Sequence, residues 1–158
     1  MKKILITFAL LLSLTLCLAS CGGAKTVRLG FSDFSITLPE GYVLTEDKLS
    51  EDQVAYYYKD ENSVDFDVYL WDKNGVYTLE SEAKHFASVY GATAEPVTVS
   101  EFDGWKYVSI EDFDGLTYTV VNYLFEDDSY IIEISFWTDG SDKEYKVVSD
   151  ILGTLKRN

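Results

Sequence analysis

The stretch Trp105–Thr138, "WKYVSIEDFDGLTYTVVNYLFEDDSYIIEISFWT", decides the fold. It holds three long runs, Trp105 to Asp112, Leu116 to Glu126 and Ser129 to Thr138, parted by Asp114-Gly115 and Asp127-Asp128. The runs are rich in β-branched and aromatic residues, which suit strands. Connections this short cannot carry a crossover, so neighbouring strands are antiparallel. A preceding run, Val97 to Glu101, is set off by Asp103-Gly104 and makes the group a four-strand meander.

Upstream the period-two signal continues. Phe34 to Leu38 alternates and stops at Pro39-Glu40-Gly41. Gln53 to Lys59 contains three consecutive tyrosines, and Asp60-Glu61-Asn62 reads as a turn into Ser63 to Trp71. In that strand Phe66, Val68 and Leu70 face one way, and Asp65, Asp67, Tyr69 and Trp71 the other. Asp72-Lys73-Asn74-Gly75 ends it.

Helical spacing interrupts twice. Leu79, Ala83, Phe86 and Tyr90 form one stripe, closed by Gly91. Tyr145, Val148, Ile151, Leu152 and Leu155 form another within a helix from about Asp142 to Leu155. Strands, helix, four strands, helix is the order of an α+β domain, a twisted antiparallel sheet with helices packed on it. With 12 Tyr, 9 Phe and 3 Trp, its strands are expected to be partly covered on both faces.

"FSITLPEGY" at Phe34–Tyr42, the helix after two strands, the meander and the closing "YKVVSDILGTLK" together resemble the PsbP-like fold group. That group includes photosystem oxygen-evolving subunits and small bacterial lipoproteins. The resemblance implies an α/β/α sandwich around an antiparallel sheet. It implies no activity, since members of this fold are mostly binding or assembly factors and fold does not fix function.

The N-terminus reads as a secretory signal: Met1-Lys2-Lys3, then an uncharged Leu-rich run from Ile4 to Leu18. That run is shorter than the roughly 20 apolar residues of a membrane span, so a retained anchor is the weaker alternative. Leu18-Ala19-Ser20-Cys21 resembles the lipobox of bacterial lipoproteins. The resemblance implies cleavage between Ser20 and Cys21 and a diacylglyceryl group on the Cys21 thiol, the nucleophile such chemistry needs. The alternative is a Cys17–Cys21 disulfide or a free thiol. Residues 1–20 are then a cleaved signal, 21–26 a lipidated cysteine with a short flexible tether, and 27–158 one domain. Gly22, where an aspartate would signal retention at an inner membrane, implies no such retention and favours a single-membrane envelope.

Cleavage would remove Lys2 and Lys3 and none of the 27 acids, so a formal charge of −14 becomes −16. Such a surface repels nucleic acid and anionic lipid head groups. Doubly acylated proteins, however, hold to membranes without electrostatic help.

Chemistry is sparse. His85 stands alone among potential zinc ligands and is expected on a helix surface. EF-hand spacing fails at Gly75 and Gly115, where Leu70 and Ile110 fall at position one. A calcium site of another kind would need Asp103, Asp112, Asp114, Asp127 and Asp128 to converge. Carboxylate pairs are too numerous to be diagnostic. No Gly-x-Ser-x-Gly elbow, phosphate-cradling loop or dinucleotide fingerprint is present, so no catalytic residues and no cofactor are expected. The expected function is a lipid-anchored, non-catalytic, extracytoplasmic domain binding a basic protein or envelope partner. The alternatives are a small-ligand or calcium-binding lipoprotein and an envelope hydrolase using buried carboxylates.

Overall fold

The computed structural model describes residues 23–47, 53–59, 64–73, 75 and 77–158. The signal segment, Ser20, Cys21 and the turn Asp60–Asn62 lie outside the described residues. Among the described residues, ten strands form two antiparallel sheets. The larger contains β3 (Val43–Asp47), β4 (Gln53–Lys59), β5 (Asp65–Asp72), β6 (Glu95–Val99), β7 (Phe102–Phe113), β8 (Leu116–Glu126) and β9 (Tyr130–Thr138). Their spatial order is β3-β4-β5-β9-β8-β7-β6. The smaller sheet contains β1 (Lys25–Arg28), β2 (Phe34–Leu38) and β10 (Lys156–Arg157), in the order β1-β2-β10. The fold class is α+β, as expected.

The alternation read along β5 holds through the sheet. Register places Phe66, Val68 and Leu70 opposite Phe136, Ile134 and Ile132, and the same face continues to Val121 and Phe125 on β8. The small sheet and α2 (Asp142–Leu152) cover this face. Phe34, Ile36 and Leu38 join Val148, Ile151, Leu152 and Leu155 in one buried cluster. The Phe34 ring sits 6.1 Å from Phe125 and meets Phe102 edge-on at 5.1 Å, fastening the small sheet to the large one. A second cluster lies on the opposite face. There Ala83 and Ala87 of α1 (Leu79–Val89), with Leu79 and Phe86 beside them, pack on Trp71, Trp105, Tyr107, Leu124 and Ile131.

Local chemistry sets the ends of these elements. The Thr78 hydroxyl accepts from the Ser81 amide at 3.2 Å and the Ser81 hydroxyl from the Thr78 amide at 3.0 Å, a reciprocal cap on α1. Gly91 adopts φ +66° and lets the Ala92 amide reach back to the Ala87 carbonyl at 2.8 Å. Asp114 and Gly115 have φ of 51° and 78°, the paired left-handed residues of a type I′ hairpin turn.

Four sequence expectations shift. Asp103-Gly104 is not a turn; it lies inside β7, and the chain reverses at Ser100-Glu101, with Ser100 at φ 57°. The reason is steric. A Cβ on Gly104 would stand 2.5 Å from the Leu124 carbonyl oxygen and 2.8 Å from the Phe125 ring, so glycine is needed for close approach. The last helix stops at Leu152, with Gly153 as its cap, and Leu155 drops into the core ahead of β10. Lys25 and Thr26, assigned to the tether by sequence, pair with Leu38 and Thr37 in β1. Strands β3 and β10 were not anticipated.

Gly104→Ala should therefore destabilise the domain by about 1–3 kcal/mol. Urea unfolding checks this, and a loss below about 0.5 kcal/mol, usual for a neutral surface change, would contradict it.

Candidate functional site

The face of the large sheet beneath α1 is chemically unlike the core face. Register aligns Asp67, Ser135, Asn122 and Tyr107 across four strands, with Tyr69, Glu133, Leu124 and Trp105 in the adjacent row. Helix α1 covers one end of this face, and no helix among the described residues packs over the other. Polar groups are nonetheless buried in it: Asp67, Ser109, Asn122, Glu133 and Ser135 are all below a tenth exposed.

Glu133, Asp67, Ser109 and Asn122 are hydrogen-bonded to neighbours on the face. Glu133 accepts from the Tyr107 hydroxyl at 2.6 Å through Oε1 and from the Trp71 indole N–H at 3.2 Å through Oε2. Burial pushes the Glu133 carboxyl above its usual range, against the opposing pull of those two hydrogen bonds; the nearby Glu111 adds to the rise. Burial also pushes the Tyr107 hydroxyl far upward, reinforced by the adjacent Glu133 charge, so it stays a donor. Asp67 accepts from the Trp137 indole at 2.7 Å. Ser109 donates to Glu111 at 2.9 Å and receives a long contact of 3.4 Å from the Asn122 amide.

Aromatic rings rim these groups. Tyr90, half exposed at the end of α1, stacks on Tyr107 at 6.2 Å. Tyr69 stacks on Trp71 at 6.3 Å, and Tyr118 and Phe113 meet Trp137 edge-on at 5.7 and 6.2 Å. The arrangement is an acidic, hydrogen-bonded floor between Tyr and Trp edges. At its rim, half-buried Glu111 and the Tyr and Trp edges can meet cationic groups, while Asp67 and Glu133 are buried and committed to Trp and Tyr donors. The Phe-rich share of the aromatic content, by contrast, fills the core.

Sequence reasoning placed Asp65, Asp67, Tyr69 and Trp71 on one side of β5, and the structure agrees. It missed Glu133 and Tyr107, which meet across strands 26 residues apart.

The calcium candidates are not brought together. Asp112 and Asp114 lie at the β7–β8 turn, whereas Asp127 and Asp128 lie beyond the far end of β8. Ten residue steps of about 3.3 Å separate those ends by roughly 33 Å. Asp103 lies at the Asp127 end of β7, where its carboxylate accepts from Thr98 at 2.8 Å. Asp127 is buried and committed elsewhere, accepting from the Ser129, Tyr130 and Asp33 amides at 2.7–2.8 Å. It ties the β8–β9 turn to the small sheet. Among the described residues no three His, Cys, Asp or Glu side chains form a metal-holding group. His85 is exposed on α1, 5.9 Å from the Phe86 ring.

Two open grooves flank the sheet. One of about 480 Å³ lies between β6–β8 and α2, lined by Val97, Val99, Val108, Tyr123, Tyr145 and Leu152 among others. The other, about 610 Å³, lies beside Trp105 and the start of α1. Neither contains Glu133 or Asp67. No helix among the described residues is long and apolar enough to cross a membrane.

Two outcomes follow. Asp127→Ala should cost about 1–3 kcal/mol by leaving buried amides unpaired, while the exposed Asp128→Ala should stay within about 0.5 kcal/mol; equal effects in urea melts would contradict this. Glu133 binds its proton more tightly folded than unfolded, so its contribution favours folding below the ordinary carboxylate range. That contribution is lost as pH rises towards the elevated folded value. Glu133→Gln, an isostere of the protonated acid, should abolish this loss, whereas Tyr107→Phe should cost about 1–3 kcal/mol. A Glu133→Gln variant with an unaltered pH–stability profile would refute the assignment.

No protein-family model matches the sequence, nor does any curated protein. Solved structures do. A Bacteroides thetaiotaomicron VPI-5482 crystal structure at 1.50 Å superposes with TM-score 0.59 at 18% identity, covering 87% of this chain and 48% of its own. The chain thus spans about half the length of that protein. The solution structure of cyanobacterial PsbP (CyanoP) from Synechocystis sp. PCC 6803 superposes with TM-score 0.51 at 13% identity, covering 88% of this chain and 96% of the other. Likeness at this identity establishes architecture, and the architecture is PsbP-like.

Proposed function

We propose that this is a lipid-anchored, non-catalytic, extracytoplasmic lipoprotein domain that binds a basic protein or another cell-envelope partner. The observation that carries the binding role is the part of the sheet face that α1 leaves uncovered. There Glu111 is held by the Ser109 hydroxyl and the Trp137 edge by Asp67, the fixed positions that a preorganised binding surface requires. The excess of 27 acids over 13 bases supports a basic partner. Anchoring rests on Leu18-Ala19-Ser20-Cys21. The position of Glu133 supports a structural acid. Both of its oxygens are engaged, and Tyr107 and Trp71 pack under α1. A hydrolytic acid would instead share an accessible cleft with a second carboxylate.

Cys21→Ala should move the protein from the membrane fraction to the soluble fraction and abolish its labelling by a radiolabelled fatty acid. A signal-cleaved Cys21→Ala protein that stayed with the membrane would contradict the anchor. Partner binding should weaken steeply as salt rises, and affinity independent of ionic strength would contradict the charge-led reading.

A further inference from the structure

The β7–β8 hairpin outruns its neighbours on both sides. β6 pairs with β7 only as far as Lys106, and β9 pairs with β8 only from Thr119. Beyond Lys106 the outer edge of β7 faces no strand among the described residues. The phase of that edge follows from two turns. In a two-residue hairpin the flanking residues exchange hydrogen bonds, so Phe113, Glu111, Ser109 and Tyr107 bond to β8. Val99 and Phe102 flank the two-residue turn at Ser100-Glu101, which directs Phe102, Gly104 and Lys106 towards β6. Both turns give the same result: Val108, Ile110 and Asp112 aim their N–H and C=O groups outward.

Sheet edges are normally blunted by charge, proline or brevity. β6 conforms, being five residues long with Pro96. The open part of β7 is as short and carries Glu111 and Asp112, but it has no proline or lysine and presents apolar side chains. Val108 is 41% exposed and Ile110 66%, and Phe113 and Leu116 are exposed at the tip. Residues 107–118 also carry three acids and no Lys or Arg.

We propose that the β7 edge from Val108 to Asp112 accepts an extended basic segment of a partner as an added strand. Its apolar side chains lie beside Val108 and Ile110, and its Lys or Arg side chains beside Glu111 on the opposite face. Main-chain bonds supply affinity and alternate side chains supply specificity, as in other strand additions. A second copy of this chain is the poorer occupant, because it would bring another Glu111, Asp112 and Asp114 to the junction. The proposal rests on the basic-partner reading above and does not depend on the anchor.

The test uses the full-length chain in detergent and a short fluorescent peptide alternating valine and lysine. The peptide should bind, more weakly as salt rises. Ile110→Pro, which deletes an outward N–H and leaves the β8 ladder intact, should reduce affinity at least tenfold. Backbone N-methylation of the peptide should do the same without altering the protein. Undiminished binding of the N-methylated peptide would overturn strand addition while leaving the acidic-surface reading in place. Absence of binding by the parent peptide, or a dimer that Ile110→Pro converts to monomer, would also overturn it.

Discussion

The burial of Phe34 against Phe125 and Phe102 is the contact on which the rest of the molecule depends. It joins the small sheet to the large one, and it requires Gly104 because Phe125 occupies the space of the missing side chain. With one face of the meander committed to that core, strand alternation sends every second side chain to the other face. The polar face is therefore a consequence of the core. Ile132, Ile134 and Phe136 point in, so Glu133, Ser135 and Trp137 must point out.

That outer face is only half covered by α1. Where the helix lies, Glu133 is held by Tyr107 and Trp71, with an elevated affinity for its proton. Where it does not, Asp67, Asn122 and Ser135 stay buried, and Glu111, Tyr118 and Trp137 are half-buried beside a stretch of β7 whose outer edge no described strand pairs. Both faces of these strands thus contribute to stability, the core face through Phe66, Ile134 and Phe136 and the outer face through the cluster beneath α1.

The long strands and both helices were legible because each carries a sustained period, as Phe66, Val68 and Leu70 do against Asp65, Asp67 and Tyr69. Three short strands were not. β1, β3 and β10 have four, five and two residues and lack the apolar–polar alternation that five-residue β2 carries from Phe34 to Leu38. Asp103-Gly104 carried a strong turn signal, and only the packing of Phe125 shows why glycine stands in a strand there. Asp127 carried a metal-like signal in sequence, yet its carboxylate is consumed by three backbone amides. The Glu133–Tyr107–Trp71 group depends on pairings between distant strands, which one sequence does not reveal.

The central claim is that this meander presents an ordered edge that no strand among the described residues covers. Residue-resolved amide hydrogen exchange of the free protein tests it most directly. Tyr107, Ser109 and Glu111, bonded to β8, should exchange slowly, while Val108, Ile110 and Asp112 between them should exchange quickly. Uniform protection from Tyr107 to Asp112 would mean that the edge is already covered, and uniformly fast exchange would mean that the hairpin is not ordered; either result would contradict the account.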